Sequence, residues 1–270
     1  MSEPVIDLLE TEWAAIDEFA STLSDDDWAT PTALPGWSVK DNVSHIIGVE
    51  RMLAGDAAPD VDVSHLAHVH DPFAASMEAW IEARRPLPAT EVLADFRDTT
   101  ARRLEQLRAM SDDDFALSGW SPIGEVPYRQ FMRVRVFDSW MHEQDMRRAL
   151  NRPGNLEGPV VDAALENFER SLGFVVGKKA GAPDGSSVTF LVDGPTSRVY
   201  PVLVEGRARL LPPAEAPTDA TVTITLPLET FAALGGGRWD RETAIAAGGI
   251  TIGGDAALAR AVLDHMAFTP

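Results

Sequence analysis

Apolar residues recur at helical spacing through the first 150 positions of the chain and then give way to short β-branched runs, so the period itself divides the sequence. Between residues 3 and 23, Val5, Leu8, Leu9, Trp13, Ile16, Phe19 and Leu23 mark one face of a helix that SDDDWATPTALPGW ends in a loop. Ser38, with Asp41 three residues on, has the form of a capping box, and VKDNVSHIIGVERMLAG continues from it as a second helix to Gly55. A polar loop carrying three histidines, DAAPDVDVSHLAHVHDP, follows. Residues 73 to 84 and 90 to 110 predict two more helices with RPLP between them. After SDDDFALSGWSPIGEVP, a long helix runs from near Tyr128 to NRPGN. Four or five long helices in this first part predict an antiparallel bundle.

Past Pro153 one further helix, Pro159 to about Gly173, leads into SVTFLVDG, RVYPVLVEG and ATVTITLP. Each run is β-branched and bounded by Gly, Pro or Asp, which predicts a strand. LETFAALGGG and DAALARAVLDHMAF read as helices flanking a short strand in ITIGG, so the second part is an α+β domain. The sequence contains no internal repeat and no low-complexity segment.

Composition narrows the partners. The 270 residues are 45% hydrophobic, enough for two ordinary domains or one large one. No apolar run approaches the roughly 18 residues that span a bilayer, and MSEPVIDLLE has neither the basic nor the apolar region of a signal peptide. A cytoplasmic protein without membrane attachment is expected. Lys+Arg of 23 against Asp+Glu of 42 gives a net charge of -19, which repels phosphate backbones and anionic lipids. The arginines form no stripe with interleaved aromatics, so nucleic acid is not expected as a partner. The chain has no cysteine and therefore offers no disulfide, thiolate ligand or cysteine nucleophile. Any thiol chemistry needs a thiol from outside.

The candidate chemistry lies in RVFDSWMHEQDMRRAL. At about 100° per residue, Asp138, His142 and Asp145 fall within roughly 60° of one another, on the sector that carries Phe131, Val134, Met141 and Ala149. Arg129, Arg133, Glu143 and Arg147 fall on the opposite side, where a solvated face is expected; Val136 and Trp140 lie there too, so part of that side is expected to be covered, with the second domain a candidate for covering it. A carboxylate turned into a bundle interior is costly unless it is paired, hydrogen-bonded or bound to a cation. Asp138 and His142, four apart, can converge on one metal ion. By spacing alone a buried Asp to His hydrogen bond, or an ion pair with an arginine from another helix, explains them better, because D-x-x-x-H is short and common.

His45 changes the balance. It stands in mid-helix at the edge of the apolar sector, where it can face a neighbouring helix; alone, it reads as an ordinary core histidine. Two histidines and one carboxylate from two helices make a three-ligand site with an open position, which suits catalytic zinc. The spacing of His65, His68 and His70 fits neither a helical face nor a usual zinc motif, and of these His70 is the candidate for a hydrogen bond near a bound group. His265 is expected to pack or to meet the carbonyls of the last turn. Glu143 pairs at helical spacing with Arg147, and Asp145 either pairs with Arg148 or orients a ligand. The glycines of LGGGR and AGGITIGGD lack a phosphate-loop Lys-Ser/Thr, so they read as turns.

LPGWSVKDNVSHIIGVE, VDVSHLAHVHDP, RVFDSWMHEQDMRRAL and GFVVGKKAGAPDG together resemble the actinobacterial mycothiol-dependent maleylpyruvate isomerase family, over nearly the whole chain. The resemblance implies a DinB-like, metal-binding four-helix bundle over residues 1–154 and an α+β domain like the sterol carrier proteins over residues 155–270. It implies a metal held by a histidine of the second helix and by a carboxylate and a histidine four apart on a later helix, which by motif are His45, Asp138 and His142. Where the isomerase has Glu this chain has Asp, one methylene shorter, so Asp138 reaches the metal directly, through water, or only by supporting a ligand.

Zinc or another divalent metal, and mycothiol, are the implied cofactors, with His70 as the candidate contact on the cofactor side and a small electrophile as substrate. Arg238, in GGGRW, is the candidate for a substrate carboxylate, since an anionic substrate needs a cation in an acidic protein; a surface arginine after a helix end is the other reading. The expected activity is an isomerase of maleylpyruvate type or a thiol S-transferase, working as a monomer or homodimer. The alternative is a non-enzymatic protein that binds a small molecule or lipid, its Asp/His cluster being structural.

Overall fold

In the computed structural model, which describes residues 3–268, the chain divides between Gly154 and Asn155 into two units. The first unit contains α1 (Pro4–Ala20), α2 (Asp25–Ala29), α3 (Val39–Leu53), α4 (Pro72–Glu82), α5 (Ala89–Ala109) and α6 (Asp112–Ala116). A hairpin of β1 (Ser118–Ser121) and β2 (Gly124–Pro127) follows, and then α7 (Tyr128–Ala149). The long helices α1, α3, α5 and α7 form a bundle: α3 and α1 each pack against both α5 and α7, and α4 lies on α3. Leu9, Ile16, Ile46, Ile47, Phe96 and Leu107 are fully buried between them.

Helix α3 carries one candidate ligand, and both its ends are fixed locally. The Ser38 side chain accepts from the Asp41 N–H while the Asp41 carboxylate accepts from the Ser38 N–H. Gly55 lies just past the other end at φ +91°, a conformation that ends helices and favours glycine. The same chemistry produces two helices where the sequence predicted loops. Ser24 and Ser111 each open a Ser-Asp-Asp-Asp run and close capping boxes with Asp27 and Asp114, enough to set single turns as α2 and α6. The β1–β2 hairpin also replaces an expected loop; its four-residue strands are mostly exposed and have no apolar alternation to announce them.

The second unit begins with α8 (Pro159–Phe174), extended by a π-helical turn at Val175–Lys179. It continues through β3 (Ser187–Asp193), β4 (Arg198–Glu205), β5 (Arg207–Leu210), β6 (Val222–Pro227), α9 (Leu228–Gly235), α10 (Arg241–Ala247), β7 (Thr251–Gly254) and α11 (Ala256–Asp264). The sheet order is β5-β4-β3-β6-β7, antiparallel except for the central β3–β6 pair. In that parallel pair Val188, Phe190 and Val192 lie beside Val222, Ile224 and Leu226, all buried, and Phe231 of α9 packs against both Phe190 and Phe168 of α8. The two-domain α+β class expected from the sequence is the one observed. The short β5 and α10 had not been expected.

Gly48 sets how closely α4 approaches α3. A Cβ at this position would lie 2.5 Å from Trp80 Cβ and 2.8 Å from its Cγ. Alanine is the better helix former by about 1 kcal/mol, but overpacking a tight contact costs about 1–3 kcal/mol. With the contact at 2.5 Å placing the overpacking cost at the upper end of that range, Gly48→Ala is expected to destabilise the protein by a net ~1–2 kcal/mol in urea unfolding. An unchanged or higher midpoint would show that α4 can shift freely.

Candidate metal-binding site

The packing of α3 against α7 brings His45, Asp138 and His142 together, with one ligand-type atom from each lying within 4.8 Å of the others. His45 Nε2 is 3.5 Å from Asp138 Oδ2, and His142 Nε2 is 3.7 Å from Asp138 Oδ1. The two imidazole rings are 4.6 Å apart between centroids.

Each ring is oriented by a different device. His142 Nδ1 is 2.8 Å from Asn42 Oδ1. The Asn42 amide is itself oriented, because its Nδ2 donates to the Ser38 carbonyl at 2.9 Å. An amide oxygen only accepts, so Nδ1 of His142 is the donor in this contact and Nε2 is the nitrogen that faces Asp138. His45 Nδ1 is buried and has no hydrogen-bond partner among the described residues. Its ring is held by packing instead, against Trp37 at 5.1 Å and His142 at 4.6 Å. Trp37 also lies 5.6 Å from His142, and its Nε1 donates to Glu78 of α4 at 3.0 Å. Glu78 in turn pairs with Arg85 at 2.9 Å and lies 3.3 Å from His68 Nε2.

A chain of buried charges supports the carboxylate. Arg135 Nη1 donates to Asp138 Oδ2 at 2.5 Å, and its Nε donates to Glu50 Oε1 at 2.8 Å. The other Glu50 oxygen accepts from Arg103 Nε at 3.1 Å, and Arg103 also donates to the Tyr128 hydroxyl. Burial pushes the His45 imidazolium down to about 4, reinforced by the charges of His142 and Arg135 against the pull of Asp138. Burial works against ionising Asp138, but Arg135, with the two histidines, outweighs it and holds the carboxyl well below the ordinary range. At neutral pH the cluster thus holds a neutral His45 and an ionised Asp138, the forms that bind cations.

The remaining sequence expectations fare unevenly. Asp138 does form an ion pair with an arginine, but one from its own helix, three residues earlier, where another helix was expected to supply it. On the far side of α7, Val136 and Trp140 are fully buried, as expected of the covered part of that side, and Glu143, expected on a solvated face, is buried with them, its charge satisfied by Arg147 at 2.8 Å. Asp145 pairs with Arg148 at 3.0 Å and also lies 3.6 Å from His142 Nδ1. His70 is exposed, and its imidazole makes no hydrogen bond, ion pair or ring contact among the described residues. The loop histidine that packs inward is His68, close against Gly36 and Glu78. Arg238 lies in the second unit, just after α9, with its guanidinium donating to the Gly236 carbonyl. His265 Nδ1 meets the Ala261 carbonyl at 2.7 Å, as expected of a residue at the last turn.

Four supporting residues were missed. Glu50 falls on the apolar stripe of α3, four after Ile46, and Arg103 falls on that of α5, seven after Phe96, so charged residues at core positions were the available signal. Arg135, four after Phe131, is of the same kind. Asn42 gave no signal beyond its place one turn before His45.

The model of the mycothiol maleylpyruvate isomerase N-terminal domain matches residues 9–147, and that of the MDMPI C-terminal domain matches residues 162–261. Two uncharacterized proteins of Mycobacterium tuberculosis, MT0041 of strain CDC 1551 and Rv0036c of strain H37Rv, are each 27% identical over 149 residues. That match covers 54% of this chain and 56% of theirs, so the chain spans little more than half of their length. Crystal structures of the mycothiol-dependent maleylpyruvate isomerase and of a histidine-to-alanine variant of it share the fold, with TM-scores of 0.53 and 0.57 at 17% and 16% identity, over 93% of this chain and 92% of theirs. With both domain models matched in order along the sequence, the chain belongs to the mycothiol-dependent maleylpyruvate isomerase family.

Proposed function

We propose that this chain is a divalent-metal enzyme that uses mycothiol, either as an isomerase of maleylpyruvate type or as an S-transferase acting on a small electrophile, with His45, Asp138 and His142 as its metal ligands. The observation that carries this reading is the convergence of two imidazoles and one carboxylate from α3 and α7. The donor set fits a cation. Zinc to nitrogen and oxygen distances of about 2.0–2.1 Å imply a tetrahedral edge of roughly 3.3 Å; each histidine has an Asp138 oxygen at close to that separation, Oδ2 3.5 Å from His45 Nε2 and Oδ1 3.7 Å from His142 Nε2.

Nitrogen and oxygen ligands without a thiolate suit zinc. Three protein ligands leave a position open, as in catalytic zinc sites. Zinc bound there supplies Lewis acidity that brings a thiol in the open position toward ionisation near neutral pH. The thiol has to be a cofactor's, because the chain has no cysteine. Mycothiol and maleylpyruvate are the thiol and substrate named for the matched family and structures. The protein's own part is to hold the imidazoles in place, His142 through Asn42 and His45 through the Trp37 wall.

Protein purified without chelators is expected to carry about one zinc ion per chain by elemental analysis, and His45→Ala and His142→Ala are expected to lose it. Absence of stoichiometric metal from such a preparation would sink the reading. Asn42→Ala is expected to retain the fold but weaken zinc binding by about 10–100-fold, since it releases the Nδ1 proton of His142. Assayed with mycothiol against maleylpyruvate and a panel of electrophiles, the metallated protein is expected to turn over at least one of them. Turnover that persists in the chelated, metal-free protein would rule out the metal's role.

A further inference from the structure

We propose that Arg135 is the positioning residue for Asp138, holding its carboxylate turned toward the imidazoles of His45 and His142, where it can ligate the metal. The proposal rests on the reading of His45, Asp138 and His142 as ligands. Asp138 is the most open of the three, with a side chain 29% exposed against 13% for His45 and 7% for His142. A short carboxylate at such a position has rotamers that face water, and something must turn it inward.

Arg135 does this from a fixed base. Its side chain is only 4% exposed, and one guanidinium spans two carboxylates, with Nη1 on Asp138 and Nε on Glu50. Glu50 cannot move to follow it, because its second oxygen is held by Arg103 of α5, itself 3% exposed. An exposed i,i+3 pair would be a loose contact worth only about 0.2–1 kcal/mol; here the guanidinium is anchored by three helices. Neutralising Glu50 does not by itself require Arg135, since Arg103 already pairs with that carboxylate. The second guanidinium is matched by a second carboxylate, Asp138.

The consequence is chemical. With Oδ2 accepting a charge-assisted hydrogen bond from Arg135, the carboxylate is held with Oδ1 3.7 Å from His142 Nε2 and Oδ2 3.5 Å from His45 Nε2. A carboxylate freed from Arg135 can turn to water and leave the two imidazoles without it.

The test compares wild type with Arg135→Gln and Arg135→Lys, each checked for fold by circular dichroism. Zinc Kd is measured by chelator competition, and the visible bands of the cobalt-substituted protein report coordination number. Arg135→Gln is expected to raise the zinc Kd by about 10–100-fold and to alter the cobalt bands, while Arg135→Lys, which keeps a charge but reaches only one carboxylate, falls between. Folded Arg135→Gln with the Kd and cobalt bands of wild type, or with tighter binding, overturns the proposal. Should Arg135→Gln fail to fold, wild-type Kd and bands in Arg135→Lys overturn it equally. Wild-type protein that takes up neither zinc nor cobalt overturns the reading of the site as well, so the two failures are distinguishable.

Discussion

Three helices of the bundle meet on one carboxylate. Glu50 of α3 is fully buried, and its two oxygens accept from Arg103 of α5 and Arg135 of α7. An uncompensated charge in such a place costs several kcal/mol, and breaking a buried pair by removing one partner typically costs about 3–5 kcal/mol. Stability alone does not account for the arrangement, because apolar residues of similar volume are often as good. What ionic contacts add is direction. A guanidinium bridging two carboxylates fixes the height of α7 against α3, and the candidate ligands lie next to that junction: His45 is five residues before Glu50, and Asp138 and His142 are three and seven residues after Arg135.

The wall of the site depends on a second constraint, one of volume. Because Gly48 has no side chain, α4 lies close enough to α3 for Trp80 to occupy the space of a Cβ. Glu78, two residues earlier on α4, then accepts from Trp37, whose ring packs against both histidines. The indole thus supports His45 from outside the helix that carries it. This matters because the buried Nδ1 of His45 has no hydrogen-bond partner among the described residues to hold the ring. The two histidines are therefore held differently, one by an amide oxygen and one by aromatic packing.

The sequence was informative wherever a residue broke a pattern that its neighbours kept. Asp138 and His142 interrupt an apolar sector, Ser38 and Asp41 spell out a cap, and the β-branched runs of the second unit give themselves away by composition. It was silent where the deciding partner is set by tertiary packing. Nothing in the spacing says whether an arginine on the same helix or on another one reaches Asp138. Nor does the period of α7 say how much of its far side is covered: Val136 and Trp140 announce part of it, but Glu143 beside them is fully buried as well. The loop histidines show the same limit. His70 looked best placed, but the loop's path leaves it exposed and turns His68 inward, a matter of backbone course that no residue pattern encodes.

The aspartate at position 138 is best understood together with Arg135. A glutamate reaches one methylene farther from α7 and has one more torsion with which to find the two histidine nitrogens, so it needs less guidance from its neighbours. An aspartate starts nearer its helix and must be aimed, since rotation about χ1 alone carries it from the histidines to water. In this chain the aiming group lies three residues earlier on the same helix, where i,i+3 neighbours meet, and is itself held by Glu50. The shorter ligand and the buried arginine thus form one device. A glutamate placed at 138 beside Arg135 would have to share that guanidinium from a longer arm, with Oδ2 no longer the atom it meets. The reach of the carboxylate and the position of the arginine are therefore constrained jointly, and neither is a free variable in this bundle.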